Sequence, residues 1–322
     1  MSEPPTPREV LGWALDLAIA VGILATGLGF FGAHWWVLDL FAHFRVQYAI
    51  GAGGLFLIAA CLRKPLSVCM ALLGGAVNGF LILPLYWENP ALPQEDGESI
   101  QILYANLLTQ NTDARALLDC IRDEQPDVIA LLEFSERWKL DLDPELGDWP
   151  HRAARPRNDN FGLAVYSRLP LGEADWRHLT LRSSETLFTT LEWKGQNLPL
   201  LLHPYPPVRG WTAEGSVDTI EALLEEPELQ DPGTILVGDL NATPWSHLGR
   251  LMGTSGLLPA RTGQGVLPTW PARFPAFLRI PIDVCYAGKD WAFRTVRVGP
   301  HIGSDHLPLL VELAPGEGRR GP

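Results

Sequence analysis

Thr234-Ile-Leu-Val-Gly-Asp-Leu-Asn241 begins as an apolar, β-prone run and closes on a carboxylate and an amide two positions apart. A run this short and this apolar reads as a strand covered on both faces. Asp239 and Asn241 are therefore expected at its end. Ile302-Gly-Ser-Asp-His-Leu-Pro-Leu-Leu-Val-Glu-Leu313 is the converse case, with Ser304-Asp305-His306 directly before the last apolar run. Strand ends are where a sheet fold can gather side chains from distant parts of a chain into one cleft.

Working outward, the same pattern recurs at Ile100–Ala105, Val128–Leu132, Gly162–Tyr166, Thr189–Trp193, Leu198–Leu202 and Ile282–Tyr286. Asn106 follows the first of these, Glu133 the second, and His203 follows Leu202, while Asp283 lies inside the Ile282–Tyr286 run. Helical spacing is confined to Asp113–Glu124, where Ala116, Leu117, Cys120 and Ile121 share a face, and to Ser216–Glu225. Many strands and few helices predict two packed sheets with helices outside.

Each polar residue has an ordinary reading when taken alone. Glu133 can be an exposed carboxylate, Asn106 a turn residue, Asp239-Leu-Asn241 an Asx-type turn, and His203 before Pro204 a plain strand end. Three aspartates, a glutamate, two asparagines and two histidines placed in order at strand ends are a different matter, because chance seldom delivers such a set.

Charge narrows the substrate. The 322 residues carry 25 Lys+Arg and 37 Asp+Glu, a net charge of -12. Residues 1–90 hold four of the basic and five of the acidic residues, leaving 21 and 32 beyond them, a net of -11. Proteins that track a nucleic-acid backbone usually present many cations, so the balance weighs against extended DNA or RNA binding. The four cysteines show no CxxC or zinc spacing, and no disulfide framework is predicted.

Hydrophobic residues make up 47% of the chain, and the excess sits in the first ninety. Apolar stretches at about 10–32, 46–62 and 66–86 precede the polar part. A span needs about 20 residues to cross about 30 Å of hydrocarbon, so the first and third fit and the second is short. The first run is too long, and its leading segment too weakly basic, for a signal peptide. Arg63-Lys64-Pro65 between the second and third runs places that turn in the cytoplasm by the positive-inside rule. His34, Trp35, Trp36, Phe41 and Phe44 form an aromatic belt on the other side. Asp16 and Asn78 are polar groups within the runs, costly unless paired. The expected organisation is a three-span anchor over 1–88, a linker over 89–99 with Pro90, Pro93 and Gly97, a catalytic domain over 100–315 and a flexible tail over 316–322. It predicts a multi-pass protein of the cytoplasmic membrane with its catalytic domain on the extracytoplasmic side.

The order Asn106, Glu133, His203, Gly238-Asp239-Leu-Asn241, Ile282-Asp283 and Ser304-Asp305-His306 resembles the endonuclease/exonuclease/phosphatase superfamily, membrane-tethered bacterial type, across nearly all of 100–313. The GDxN and SDH motifs together carry the likeness. It implies a four-layer α/β sandwich, two mixed β-sheets flanked by helices, here preceded by three transmembrane helices. It implies that Glu133 and Asn106, with help from Asp305, hold Mg²⁺ or Mn²⁺. Hard oxygen ligands without thiolate suit those ions. It further implies that His306, oriented by Asp283, deprotonates the attacking water, that Asp239 and Asn241 position water and phosphoryl oxygens, and that His203 donates to the phosphoryl group. Arg157 and Asn158, in the loop before Gly162-Leu-Ala-Val-Tyr-Ser-Arg168, are candidate substrate contacts. Leu132 and Ala105 depart from the pattern, where relatives often have Gln and an aromatic residue.

The expected function is metal-assisted, in-line hydrolysis of a phosphodiester or phosphomonoester, on a small molecule or a lipid headgroup. A metal-dependent nuclease and a catalytically silent, membrane-tethered binding module are the alternatives. The complete set of acids, amides and histidines argues against the silent module, since a cluster of charges is costly to keep without a use.

Overall fold

The computed structural model describes the backbone of residues 4–87, 93, 98–204 and 210–316, and their side chains except those of 202–204 and 210–213. Most of the expected linker and all but Gly316 of the expected tail lie outside the described residues. The chain divides into two compact units, Met1–Pro84 with Trp245–His247, and Leu85–Pro244 with Leu248–Pro322.

In the first unit α1 spans Pro7–Leu28, α2 Trp36–Asp39, α3 Arg45–Cys61 and α4 Pro65–Ile82; α5, Pro84–Trp87, begins at the last residue of the Met1–Pro84 segment and belongs mostly to the second unit. Pro7 and Pro65 sit where a helix tolerates proline, in its first turn. Thr6 caps α1 in a capping box, its hydroxyl accepting from Glu9 N at 3.3 Å while Glu9 Oε2 accepts from Thr6 N at 2.7 Å. Three helical stretches are long and apolar enough to cross a membrane: Pro7–Phe31, Trp36–Cys61 and Pro65–Ile82. The second reaches 26 residues, because the aromatic segment expected as a loop is itself helical, through α2 and a 3-10 turn over Leu40–Phe44. Several polar side chains of this unit find partners inside it. Asp16 takes Lys64 as its ion partner and accepts from Ser67 Oγ at 2.7 Å. Asn78 Nδ2 donates to Thr26 Oγ1 and Gly74 O, both at 2.9 Å, and the buried Arg45 donates to Thr26 O at 2.8 Å. Such mutual satisfaction removes most of the cost of polar groups in an apolar surrounding.

In the second unit the strands are β1 Ile100–Asn106, β2 Val128–Leu132, β3 His151–Arg155, β4 Leu163–Ser167, β5 Asp175–His178, β6 Glu185–Trp193, β7 Gln196–Pro204, β8 Ile235–Asp239, β9 Leu258–Pro259, β10 Asp283–Ala287, β11 Trp291–Val298 and β12 Leu309–Pro315. They form two six-stranded sheets, ordered β11-β12-β1-β2-β4-β3 and β5-β6-β7-β8-β10-β9. Each sheet is mixed, with one parallel pair at its centre: β1 with β2, and β7 with β8.

Alternation along the central strands builds the layers. Ile100, Ile102 and Tyr104 of β1 face the same core as Ile235 and Val237 of β8 and Cys285 of β10. Leu103 and Ala105 face the opposite way, against α6 (Arg115–Glu124) and α7 (Glu136–Leu142). On the other sheet Leu201, Leu236 and Val284 pack with residues of α8 (Gly210–Leu224) and α9 (His247–Met252). The result is helix, sheet, sheet, helix, the four-layer sandwich expected from the sequence. Elements whose exposed faces carry charge escaped the sequence reading, α7, β3, β5 and the eight-residue β11, as did β9, which is only two residues long. Predicted boundaries moved by a few residues elsewhere, most at α8, which begins at Gly210 rather than Ser216.

Candidate active site

The two central parallel pairs end at the same edge of the sandwich, and the polar side chains sit on those ends. Asn106 is the last residue of β1, Glu133 follows β2, Asp239 ends β8, and Asp283 opens β10. Asp239 and Asp283 are direct partners across the antiparallel β8–β10 ladder, so two carboxylates lie side by side. Both are buried, as are Asn106 and His306.

A continuous chain of polar contacts joins them. Asn106 Nδ2 donates to Glu133 Oε1 at 3.2 Å and lies 3.4 Å from Asp239 Oδ2. Asp239 Oδ2 faces His306 Nε2 at 3.8 Å. His306 Nδ1 meets Asp283 Oδ2 at 2.9 Å, and Tyr104 Oη donates to Asp283 Oδ1 at 3.0 Å. Asp239, Asp283 and His306 bring their ligand atoms within 4.8 Å of one another.

Local structure fixes each member. Glu133 adopts φ +55°, a left-handed conformation uncommon for a residue other than glycine. The next residue holds it there. Phe134 N donates to Gly162 O at 3.0 Å, and Phe134 O accepts from Arg157 N at 2.9 Å. A Cβ on Gly162 would stand 2.0 Å from Phe134 O, so only glycine fits. Thr109 N donates to Glu133 Oε2 at 2.9 Å, and Asn106 Oδ1 accepts from Leu108 N at 3.1 Å. Asp239 Oδ1 accepts from Asn241 N at 2.7 Å, the Asx turn anticipated in the sequence, with Asn241 at φ +49°.

The electrostatics follow from burial and from the paired carboxylates. Burial and the adjacent Asp283 push the Asp239 carboxyl up to about 7, against the opposing pull of His306, Asn241 N and Asn106. Burial works to lower the His306 imidazolium, but the charges of Asp283 and Asp239 outweigh it and raise the ring to about 10. Burial and then Asp283 raise the Tyr104 phenol well above its ordinary value, so Tyr104 stays protonated and donates. The group therefore holds at least one proton at neutral pH, shared between coupled sites.

Not every expected residue joins this chain of contacts. The Asp305 carboxylate accepts from Trp270 Nε1 at 3.1 Å, next to His306 in sequence but turned to the indole. Arg157 reaches the vicinity of Glu133 through its backbone, while its guanidinium pairs with Asp159 and lies 3.9 Å from Glu185. Asn158 is exposed. The backbone of His203 pairs with Gly238, one residue before Asp239, and its side chain lies outside the described residues. Tyr104 and Trp270 were missed. For Tyr104 a signal existed: it stands two residues before Asn106, the one side chain with a polar tip in an otherwise apolar stretch of strand on that face.

The donors are carboxylates, an amide and an imidazole, and the two cysteines of this unit are buried, Cys285 within the inter-sheet core. That set fits a hard divalent cation such as Mg²⁺ or Mn²⁺. Two buried carboxylates in register, one of them forced toward protonation by the other, are the electrostatic situation a cation relieves.

Comparisons with known proteins agree with this geometry. No curated protein matches the chain by sequence. Among solved structures, an endonuclease/exonuclease/phosphatase from Beutenbergia cavernae is 18% identical, with a TM-score of 0.53, covering 68% of this chain and 72% of that one. A Bacteroides vulgatus protein of the same description is 15% identical, with a TM-score of 0.56 over 68% and 99%. D. rerio TDP2, complexed with single-strand DNA product, is 15% identical, with a TM-score of 0.57 over 67% and 99%. These identities speak to the fold alone. The family model described as Endonuclease/Exonuclease/phosphatase family matches residues 103–306, from the middle of β1 to the SDH histidine and more than half of the 322 residues, and the chain belongs to that family.

Proposed function

We propose that this chain is a membrane-anchored phosphoesterase that uses Mg²⁺ or Mn²⁺ to hydrolyse a phosphodiester or phosphomonoester. The observation that supports it most is the unbroken line of contacts from Glu133 through Asn106, Asp239 and His306 to Asp283 and Tyr104. Glu133 and Asn106 would hold the ion, with Asp239 completing its charge balance, while Asp305, turned to the Trp270 indole, would act from outside that set. Bound there, the ion supplies Lewis-acid polarisation of a phosphoryl oxygen and neutralises charge developing in the transition state.

The chain's own residues do the rest. Asp239, in register with Asp283 and 3.8 Å from His306 Nε2, is placed to accept a proton from water. As the oxygen–phosphorus bond from water forms, the phosphorus–oxygen ester bond on the opposite side breaks, the leaving alkoxide takes a proton from solvent, and Asp239 then returns its proton to solvent. His306, held in place and charged by Asp283, donates to the phosphoryl group from Nε2. The sequence resemblance gave the proton-accepting role to His306, and the raised imidazolium favours Asp239 instead. Asn241 and His203 are the further donors around the phosphoryl oxygens, and Arg157 and Asn158 border the substrate.

The three apolar helices support the anchor, and Arg63 and Lys64 between the second and third support a cytoplasmic turn there, with the catalytic unit on the extracytoplasmic side. A second reading has one observation in its favour: D. rerio TDP2, of the same fold, holds single-strand DNA product, so the acidic balance does not dismiss a nucleic-acid phosphodiester. The detergent-solubilised full chain decides between them in assays on phospholipids, nucleotides, sugar phosphates and DNA, with Mg²⁺, with Mn²⁺ and with EDTA. Cation-dependent turnover of a small or lipid phosphoester is expected. Turnover of DNA alone would install the nuclease, and no turnover of any phosphoester would defeat both.

A further inference from the structure

Among the described residues between 98 and 316 five large apolar side chains are exposed, and they are unevenly placed: Leu140 and Leu181 stand alone, whereas Phe274 (39%), Phe277 (54%) and Leu278 (43%) fall within five consecutive positions. Isolated exposed apolar residues are ordinary. A run is not, and all six residues of Arg273-Phe-Pro-Ala-Phe-Leu278 are exposed, five of them apolar. The segment Trp270–Ile280 contains two arginines and no acidic residue, inside a strongly acidic unit.

The run is held in shape. Trp270 and Ile280 pair as a β-bridge at its base, and Phe274 N and Leu278 N close turns on Pro271 O and Pro275 O at 3.0 and 2.9 Å. Arg279 fastens the interior, donating to Phe274 O at 2.6 Å and Ala272 O at 3.0 Å. Arg273 lies over the Phe274 ring, 4.9 Å from its centroid. A preformed turn that presents two aromatic rings and a leucine beside a cation matches the chemistry of a lipid surface, where apolar groups enter the acyl boundary and arginine meets phosphate.

Its base is also fastened to the active site. Ala272 N donates to Asp305 O at 2.7 Å, Leu307 N to Thr269 O at 3.1 Å, and Trp270 Nε1 to the Asp305 carboxylate. These contacts bracket His306.

We propose that Arg273–Leu278 is a lipid-docking loop that inserts into a bilayer surface and sets the cleft against phosphoesters carried by lipids. A lipid bilayer is the occupant the observations favour over a protein, because the chain's own apolar helices keep the unit at a membrane and because the patch is small, preformed and edged by arginine. The substrate class, a phospholipid headgroup ester, rests on the phosphoesterase reading above, and the docking rests on its membrane anchor alone.

The test uses the full chain in nanodiscs of phosphatidylcholine with phosphatidylglycerol. The exposed Cys61 and Cys69 are changed to serine, the buried Cys120 and Cys285 are kept, and a bimane is placed at Leu278→Cys or, as a control, at Leu181→Cys. Doxyl-labelled lipid is expected to quench the label at 278 and not that at 181, with iodide doing the reverse. Iodide quenching at 278 equal to that at 181 overturns the proposal. So does a label at 278 shielded from both quenchers, since a protein surface then covers the loop. A second measurement addresses the substrate. Phe277→Ser with Leu278→Ser is expected to lower turnover of bilayer phospholipid about tenfold while leaving a soluble aryl phosphodiester within about twofold, the cost of two lost apolar insertions. Equal loss on both substrates, or no loss on lipid, overturns the lipid assignment. A wild-type chain inert toward every phosphoester sinks the hydrolase reading and leaves the quenching result to judge the loop.

Discussion

Asp239 and Asp283 face each other directly across the β8–β10 ladder, both buried, with His306 between their carboxylates. Sheet register alone puts them there. Two like charges so close cannot both stay ionised without a compensating cation, and the His306 imidazolium supplies one positive charge for the two. The arrangement leaves a deficit that a divalent ion at the adjoining Asn106–Glu133 edge would meet.

Removing His306 or Glu133 from the contact chain is expected to stop the reaction and spare the fold. His306→Ala and Glu133→Ala should each lower Mg²⁺-dependent turnover by about 10²-fold or more, the usual worth of a proton-transfer or charge-stabilising group. Circular dichroism should be unchanged in both variants. Turnover within a factor of two of wild type would remove the altered residue from its role.

Tyr104→Phe deletes one oxygen and nothing else. Asp283 then loses a buried donor, and stability is expected to fall by about 1–3 kcal/mol. Because the phenol acts on the substrate only through Asp283 and His306, kcat should drop about tenfold, as for a transition-state contact, with KM unchanged. A rise in KM at constant kcat would assign Tyr104 to substrate binding instead.

In metal-free protein Asp239 makes stability fall with rising pH. Its carboxyl titrates at about 7 in the folded chain against 3.8 in the open chain, so the folded state binds more protons between those values. Stability from this group is therefore greatest at the acid end of that window and declines as pH rises through it. Asp239→Asn should raise Tm relative to wild type at pH 7 in EDTA, and the two curves should converge near pH 4. A variant less stable than wild type at pH 7 would show that the carboxylate is not under strain.

Much of this site could be read before any coordinates. Asn106, Glu133 and Asp239 were legible because each terminates a run apolar on both faces, and such a run has few alternatives to a central strand. Tyr104 carried only the signal of a polar tip two residues before Asn106, and a phenol inside an apolar strand looks like core until the opposing sheet supplies Asp283 as its acceptor. Asp305 was grouped with the metal ligands by its motif, and only the indole of Trp270 reveals where its carboxylate turns. The second apolar helix looked too short because Trp36–Phe44 is rich in aromatics, which suggest an interface as readily as a helix. Strand β11 carries Arg294, Thr295 and Arg297 on its half-exposed stretch, so its alternation is blurred just where the sequence would need it clean.

Cation capture tests the central claim most directly. Titration of the metal-free full chain with Mn²⁺, followed by the electron paramagnetic resonance signal of the free ion, should show tight uptake by wild type and uptake weakened about 10- to 100-fold in Glu133→Gln, as expected when a ligand keeps its shape but loses its charge. Equal Mn²⁺ binding by the two proteins, or none by wild type, would contradict the account.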